Sequence, residues 1–194
     1  MNEDDFGQKP TLKAISNAFH CDDTGSPFQS CIECKKELVE SNEHYFIEKA
    51  IRRYPNSTET LTIFEFAICI SCANQLNQSL SAESLSNITK FQMDKLRMRK
   101  IDSTSKRSEH LLSTCIFSGM DISQCEEYQI VGAFKGNEMI VSDFPFAISG
   151  SIIESMSEVL SPGTKGEFDD FVSKHFTGPP ELQELWGKPK VILV

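Results

Sequence analysis

Two stretches of the chain carry strand-forming residues around a turn-rich middle. "HYFIEKAI" at 44–51 alternates apolar and polar positions in part, and "TLTIFEFAI" at 60–68 is largely β-branched and aromatic. "RRYPNSTET" lies between them, so the pattern predicts a β-hairpin with a long loop. Directly afterwards "ANQLNQSLSAESL" sets Leu76 and Leu80 four apart, which predicts a short helix. Leu85, Ile88 and Phe91 continue an apolar face, predicting a helix over 86–101 and then the Ser/Thr-rich linker "DSTSKRSE". Near the end, Phe168, Phe171, Val172 and Phe176 recur at spacings of three and four in "KGEFDDFVSKHF", an amphipathic helix. "GPPELQELW" reads as a turn and short helix with the only Trp, and "KVILV" as an apolar strand closing the protein's own sheet. The first 30 residues are polar, and partial disorder is expected there.

Cysteines change this picture. The hairpin is bracketed by "CIEC" and "CISC", giving C-x2-C-x34-C-x2-C with Cys31, Cys34, Cys69 and Cys72 as candidate metal ligands. Zinc binds four thiolates in a tetrahedron, and each C-x-x-C puts two of them on one tight knuckle. The spacer exceeds the usual 15 to 20 residues of such patterns, which leaves room for the predicted hairpin. One structural Zn2+ is the expected cofactor. Four Cys close the coordination shell, whereas catalytic zinc keeps a position open, so no catalysis by this metal is expected. Lys35 and Lys36 beside Cys34 either offset the charge of a zinc tetrathiolate or are simply exposed loop lysines.

Knuckle, hairpin, then a second knuckle opening a helix resembles the treble-clef zinc finger superfamily over residues 31–81. The layout is similar to the zinc-binding domain of Clp-type unfoldases. That resemblance, on generic motifs and about a quarter of the chain, implies a fold and a metal but no activity.

The pattern recurs. Shifting by 84 sets Cys31 on Cys115, Ile32 on Ile116, Leu38 on Ile122 and Glu43 on Glu127; shifting by 80 sets "FEFAICISCANQLNQSLS" on "FPFAISGSIIESMSEVLS", with seven of 18 positions identical. The second hairpin loop is then four residues shorter. The ligand positions become Cys115, Ser118, Ser149 and Ile152, so the second unit is expected to lack metal. Its helix is more apolar, with Ile152, Ile153, Met156, Val159 and Leu160. The two units are expected to pack together within the chain as a fused counterpart of a symmetric dimer. His20, Cys21 and Cys125 are read as incidental rather than as ligands.

Composition then bounds function. With 194 residues, 39% hydrophobic, net charge -9 and pI near 5.0, the chain can form a core and is poorly suited to a polyanionic partner. An acidic start, "MNEDDFGQKP", is unlike a signal peptide, and no apolar run approaches a membrane span, so a cytoplasmic location with no membrane partner is expected. Residues 90–107 hold seven basic against two acidic residues, +5 locally and -14 elsewhere. That segment either meets an acidic partner or is a solvated connecting helix.

No phosphate-binding loop, H-E-x-x-H or G-x-S-x-G occurs. HNH nucleases build on a treble clef, but here His44 is the only His between the knuckles and the helix offers only Asn74 and Asn77. The expected fold class is α+β: two treble-clef-like β-hairpin plus helix units in tandem, the first zinc-bound and the second lacking the ligands. The expected divisions are a polar segment 1–30, a zinc-binding unit 31–85, a basic helix and linker 86–112, a metal-free repeat 115–161 and C-terminal helices and tail 162–194. The expected function is a non-enzymatic zinc-binding protein-interaction or adaptor module. The alternative is an HNH-like nuclease or a nucleic-acid-binding protein using 90–107.

Overall fold

A computed structural model describes residues 10–54, 59–98, 111–142, 144–176 and 190–191. The expected linker at 102–109, the segment "GPPELQELW" and residues 192–194 lie outside them. Strands run β1 (Thr11–Ala14), β2 (His44–Arg53), β3 (Thr60–Cys69), β4 (Glu127–Lys135), β5 (Glu138–Val141) and β6 (Phe146–Ser149). Helices are α1 (Ile70–Ser79), α2 (Ala82–Met98), α3 (Gly150–Glu158) and α4 (Pro162–His175). The protein is mixed α+β with one antiparallel sheet ordered β1-β5-β4-β2-β3, β6 also pairing with β4. Among the described residues no helix is long and apolar enough to cross a membrane.

The predicted hairpin forms from β2 and β3. The helical stretch after it is divided: Leu80 and Ser81 break it, and α2 begins at Ala82 rather than Ser86. Ser81 causes this locally, because its hydroxyl accepts the Ser84 N–H at 3.1 Å and starts a new helix. Ser161 does the same for α4, accepting the Thr164 N–H at 3.3 Å.

Strand β2 joins the two halves. It pairs with β4 from His44↔Lys135 to Arg52↔Glu127, so both hairpins share one continuous sheet. Within the hairpins, Tyr45 pairs with Cys69 and Ile47 with Ala67; Tyr128 pairs with Ser149 and Ile130 with Ala147. The strands therefore correspond at a shift of 83, not 84, and Glu43 matches Glu126 rather than Glu127. Pairing register, which a one-residue slip inverts, fixes this where side-chain identity alone did not. Glu48 and Val131 correspond at that shift and also face each other, so the pseudo-twofold axis passes through their rung.

A second junction lies at the helix starts. Ser81 N–H donates to Thr164 Oγ1 at 3.1 Å and Ser161 N–H to Ser84 Oγ at 2.9 Å, with Ser81 and Ser161 hydroxyls 3.0 Å apart. Ser84 and Thr164 are buried, so these hydroxyls satisfy each other where water does not reach.

The N-terminal segment is more ordered than expected from residue 10 onward. β1 pairs with β5, Thr11↔Val141 to Ala14↔Glu138. Phe19 is fully buried with its ring edge on Phe134 at 5.3 Å, and Tyr45 stacks on the same ring at 5.2 Å. Just beyond, Lys49 sits buried in β2, where it donates to His20 O at 2.8 Å and pairs with Asp22 and, at 2.8 Å, with Glu65.

Candidate metal centre

Four thiols meet where the first knuckle touches the start of α1. The knuckle closes through Cys31 N–H to Lys36 O and Lys35 N–H to Cys31 O, both 2.9 Å. Lys35 takes φ 60°, a left-handed conformation that lets the chain reverse within the loop. Ile32 N–H donates to Ala67 O at 2.8 Å and pins the knuckle to the end of β3. Cys69 caps α1 and Cys72 lies in its first turn, so the helix aims both inward.

The Sγ atoms of Cys31, Cys34, Cys69 and Cys72 all lie within 4.8 Å of one another. Cys34 and Cys69 are 3.8 Å apart, too far for a disulfide. Zn–S bonds of about 2.3 Å in a tetrahedron give an S···S edge of about 3.8 Å. The donor chemistry and the spacing therefore suit a tetrahedral metal ion such as zinc. Cys31 and Cys69 are buried, Cys72 is half-buried and Cys34 exposed.

Electrostatics agree with that donor set. The Cys69 N–H points at Cys31 Sγ at 3.4 Å, and the Lys36 N–H holds the Cys34 thiol below its ordinary value. Burial pushes Cys69 and Cys72 up. Packed thiols resist ionising together, and a divalent cation at their centre removes that resistance. Lys35 and Lys36 are otherwise engaged: Lys35 donates to Ile32 O at 2.8 Å and Lys36 pairs with Glu43 at 3.0 Å. Glu43 chiefly, and to a smaller extent Cys69 and Cys34, hold the Lys36 amine above its ordinary value.

Residues remote in sequence complete the knuckle. Glu33, between two of the cysteines, accepts from Lys174 at 2.5 Å and lies 2.8 Å from His175 Nε2, both at the end of α4. Partial burial pushes the Glu33 carboxyl up, but these partners outweigh it and hold it below its ordinary range. Phe171 and Phe176 pack beside them against Phe66 and Phe64. Nothing in the C-x-x-C spacing announces this contact; the one signal was the helical spacing of the phenylalanines.

The second knuckle repeats the backbone without the donors. Cys115 N–H donates to Met120 O, Gly119 N–H to Cys115 O and Ile116 N–H to Ala147 O, each at 2.8 Å, matching the first knuckle bond for bond. Gly119, at φ 70°, stands where Lys35 stands. Ser149 N–H points at Cys115 Sγ at 3.4 Å, as Cys69 does at Cys31. Burial raises the Cys115 thiol, but bonds from Ser118 and Ser149 bring it below its usual value. Ile152, at the fourth position, is buried in the core.

Among the described residues no other such group of His, Cys, Asp and Glu occurs. His20 Nδ1 is 3.1 Å from Gly25 O, and the buried Cys125 thiol reaches Asp121 O at 3.6 Å; neither they nor Cys21 join the cluster. His44 is exposed at the start of β2, opposite Lys135. No family model, curated protein or solved structure matches this chain.

Proposed function

We propose that the protein is a duplicated treble-clef scaffold whose first half holds one structural zinc through Cys31, Cys34, Cys69 and Cys72, and which acts as a non-enzymatic protein-interaction module. The carrying observation is the set of four mutually close thiols on a knuckle and a helix start. Four Cys donors leave no open coordination position for substrate or water, which is why the site is read as structural. Duplication is supported by the two matching knuckle networks and by the rung of Glu48 and Val131 on the pseudo-twofold. In this reading 31–85 is the zinc unit, 86–112 the basic helix and linker, 115–161 the repeat in which packing replaced metal, and 162–194 the C-terminal part. Residues 1–30 form the N-terminal segment. Reduced thiols fit a cytoplasmic location.

Metal content per chain tests the reading. One zinc is expected; two would overturn the metal-free second half, and none would overturn the cluster. A plasmid-nicking assay with divalent metal separates the nuclease alternative: no cleavage is expected, and cleavage abolished by His44→Ala would replace the scaffold reading.

A further inference from the structure

The four clustered thiols differ in their access to solvent. Cys31 and Cys69 are buried and Cys72 is half-buried, whereas Cys34 is exposed. The Cys34 sulfur lies 3.8 Å from Cys69 Sγ. A cysteine that solvent reaches, with a second thiol beside it, is what oxidants convert to a disulfide, because the second sulfur captures the first oxidation product. Cys115 supplies the internal contrast. It holds the same place in the same backbone loop, but it is fully buried, and the positions matching Cys34, Cys69 and Cys72 are Ser118, Ser149 and Ile152.

The exposed cysteine also adjoins a link to the rest of the fold. Glu33 ties the loop to the last turn of α4 through Lys174 at 2.5 Å and His175 at 2.8 Å. In the second half the position of Glu33 is taken by Phe117, which is buried in the core. Elsewhere α4 has other anchors: Ser161 and Thr164 bond to Ser84 and Ser81 at its start, and Phe171 packs on Phe66. A movement of the first knuckle therefore reaches the last turn of α4 before the remainder of the helix.

We propose that the cluster is a peroxide-responsive clasp, in which oxidation of Cys34 to a disulfide with Cys69 expels the metal and frees the last turn of α4. The clasp rests on the zinc site proposed for these four thiols and adds what that site responds to. Cys34 Sγ attacks hydrogen peroxide: an S–O bond forms, the O–O bond breaks, and the leaving hydroxide takes a proton to become water. Cys69 Sγ then attacks the oxidised sulfur: the S–S bond forms, the S–O bond breaks, and the second oxygen leaves as water after protonation. The two thiolates together lose two electrons and the peroxide gains them, so two protons are consumed and one disulfide and two waters result. The site has then lost two of its four donors and no longer holds the ion. Closing 3.8 Å to a covalent bond draws the loop toward α1 and carries Glu33 with it, off Lys174 and His175. A thiol reductant reverses the change by exchange at the disulfide.

The test treats the full chain, its zinc content measured beforehand, with one equivalent of hydrogen peroxide beside a colorimetric zinc chelator. Peptide mapping and hydrogen exchange follow on the same samples. Expected are release of the zinc, a linked pair of peptides holding Cys34 and Cys69, and Cys115 still a free thiol. Exchange over 171–176 should quicken while β4 stays protected, and a thiol reductant with added zinc should restore the starting pattern. Cys34→His keeps four donors and is expected to release zinc roughly tenfold more slowly under peroxide. The linkage mapped in the wild type decides even if that variant loads no metal. Glu33→Ala is expected to keep its zinc and to show the fast exchange over 171–176 before any peroxide is added. Zinc retained under peroxide, a linkage without Cys34 or Cys69, a Cys34→His variant releasing zinc as fast as wild type, or unchanged exchange over 171–176 would each overturn the proposal. A chain with no zinc at the start would overturn the metal reading itself, and the clasp with it.

Discussion

Cys31 and Cys115 offer an internally controlled test of what the metal contributes. Both thiols are fully buried, and both face the N–H of the residue that caps the following helix at 3.4 Å. Their knuckles close through the same backbone bonds, so Ser at either position keeps the same backbone donor and the same buried setting, Cys115 having hydroxyl partners in Ser118 and Ser149 besides. Only Cys31 lies in a four-thiol cluster. Exchanging a buried thiol for a hydroxyl that keeps its hydrogen-bond partners costs about 1 kcal/mol. Structural zinc contributes roughly 10 to 16 kcal/mol to a site, so loss of one of four ligands removes about 3 kcal/mol more. For a chain of this size 1 kcal/mol moves Tm by about 2–4 °C. Cys115→Ser is therefore expected to lower Tm by a few degrees and Cys31→Ser by roughly 10 °C or more. Differential scanning calorimetry with and without a chelator makes the comparison. Chelator should lower the wild type markedly and bring wild type and Cys31→Ser close together. Equal shifts in the two variants, or a wild type indifferent to chelator, would refute the reasoning.

Three further outcomes follow from the junctions. Lys49 is buried between Asp22 and Glu65, so Lys49→Gln leaves a part-buried carboxylate unpaired and is expected to cost about 3 kcal/mol in urea unfolding at neutral pH. Partial burial raises the Asp22 carboxyl, but hydrogen bonds from Lys49 and Thr62 outweigh it and hold it below 3.8; the stability it adds is complete above pH 3.8 and is lost as pH falls through the lower folded value, so the gap between wild type and Lys49→Gln should narrow in that range. Ser84→Ala strips the acceptor from the part-buried Ser161 N–H and is expected to cost about 1–3 kcal/mol, read as a lower urea midpoint at unchanged slope. Phe19→Ala is expected to cost about 3–5 kcal/mol, because the ring fills a fully buried site against Phe134; a cost near zero would show the N-terminal segment to be dispensable.

The elements set by neighbours in the chain were legible before the structure. The β-branched runs became β2 and β3, and the phenylalanine spacing became α4. Ser118 and Ser149 fall where the alignment put them, beside Cys115. Legibility failed where partners are distant. A shift of 84 through the strand hid a one-residue difference that pairing with Ser149 reveals. Nothing in "HYFIEKAI" singles out Lys49, yet β2 is central and a folded N-terminal segment covers that side chain.

Local chemistry is what the sequence by itself determined: which four thiols can converge, where the hairpin turns, and which knuckle lacks such donors. These depend on ligand type and short spacing, which chain geometry fixes within a few residues. Only the tertiary structure decided that β2 and β4 join the halves, that Ser81, Ser84, Ser161 and Thr164 meet, and that Lys174 and His175 close on Glu33. Such contacts span roughly 80 to 140 residues, and their partners are chosen by packing and register across the whole sheet, information that no single stretch of sequence contains.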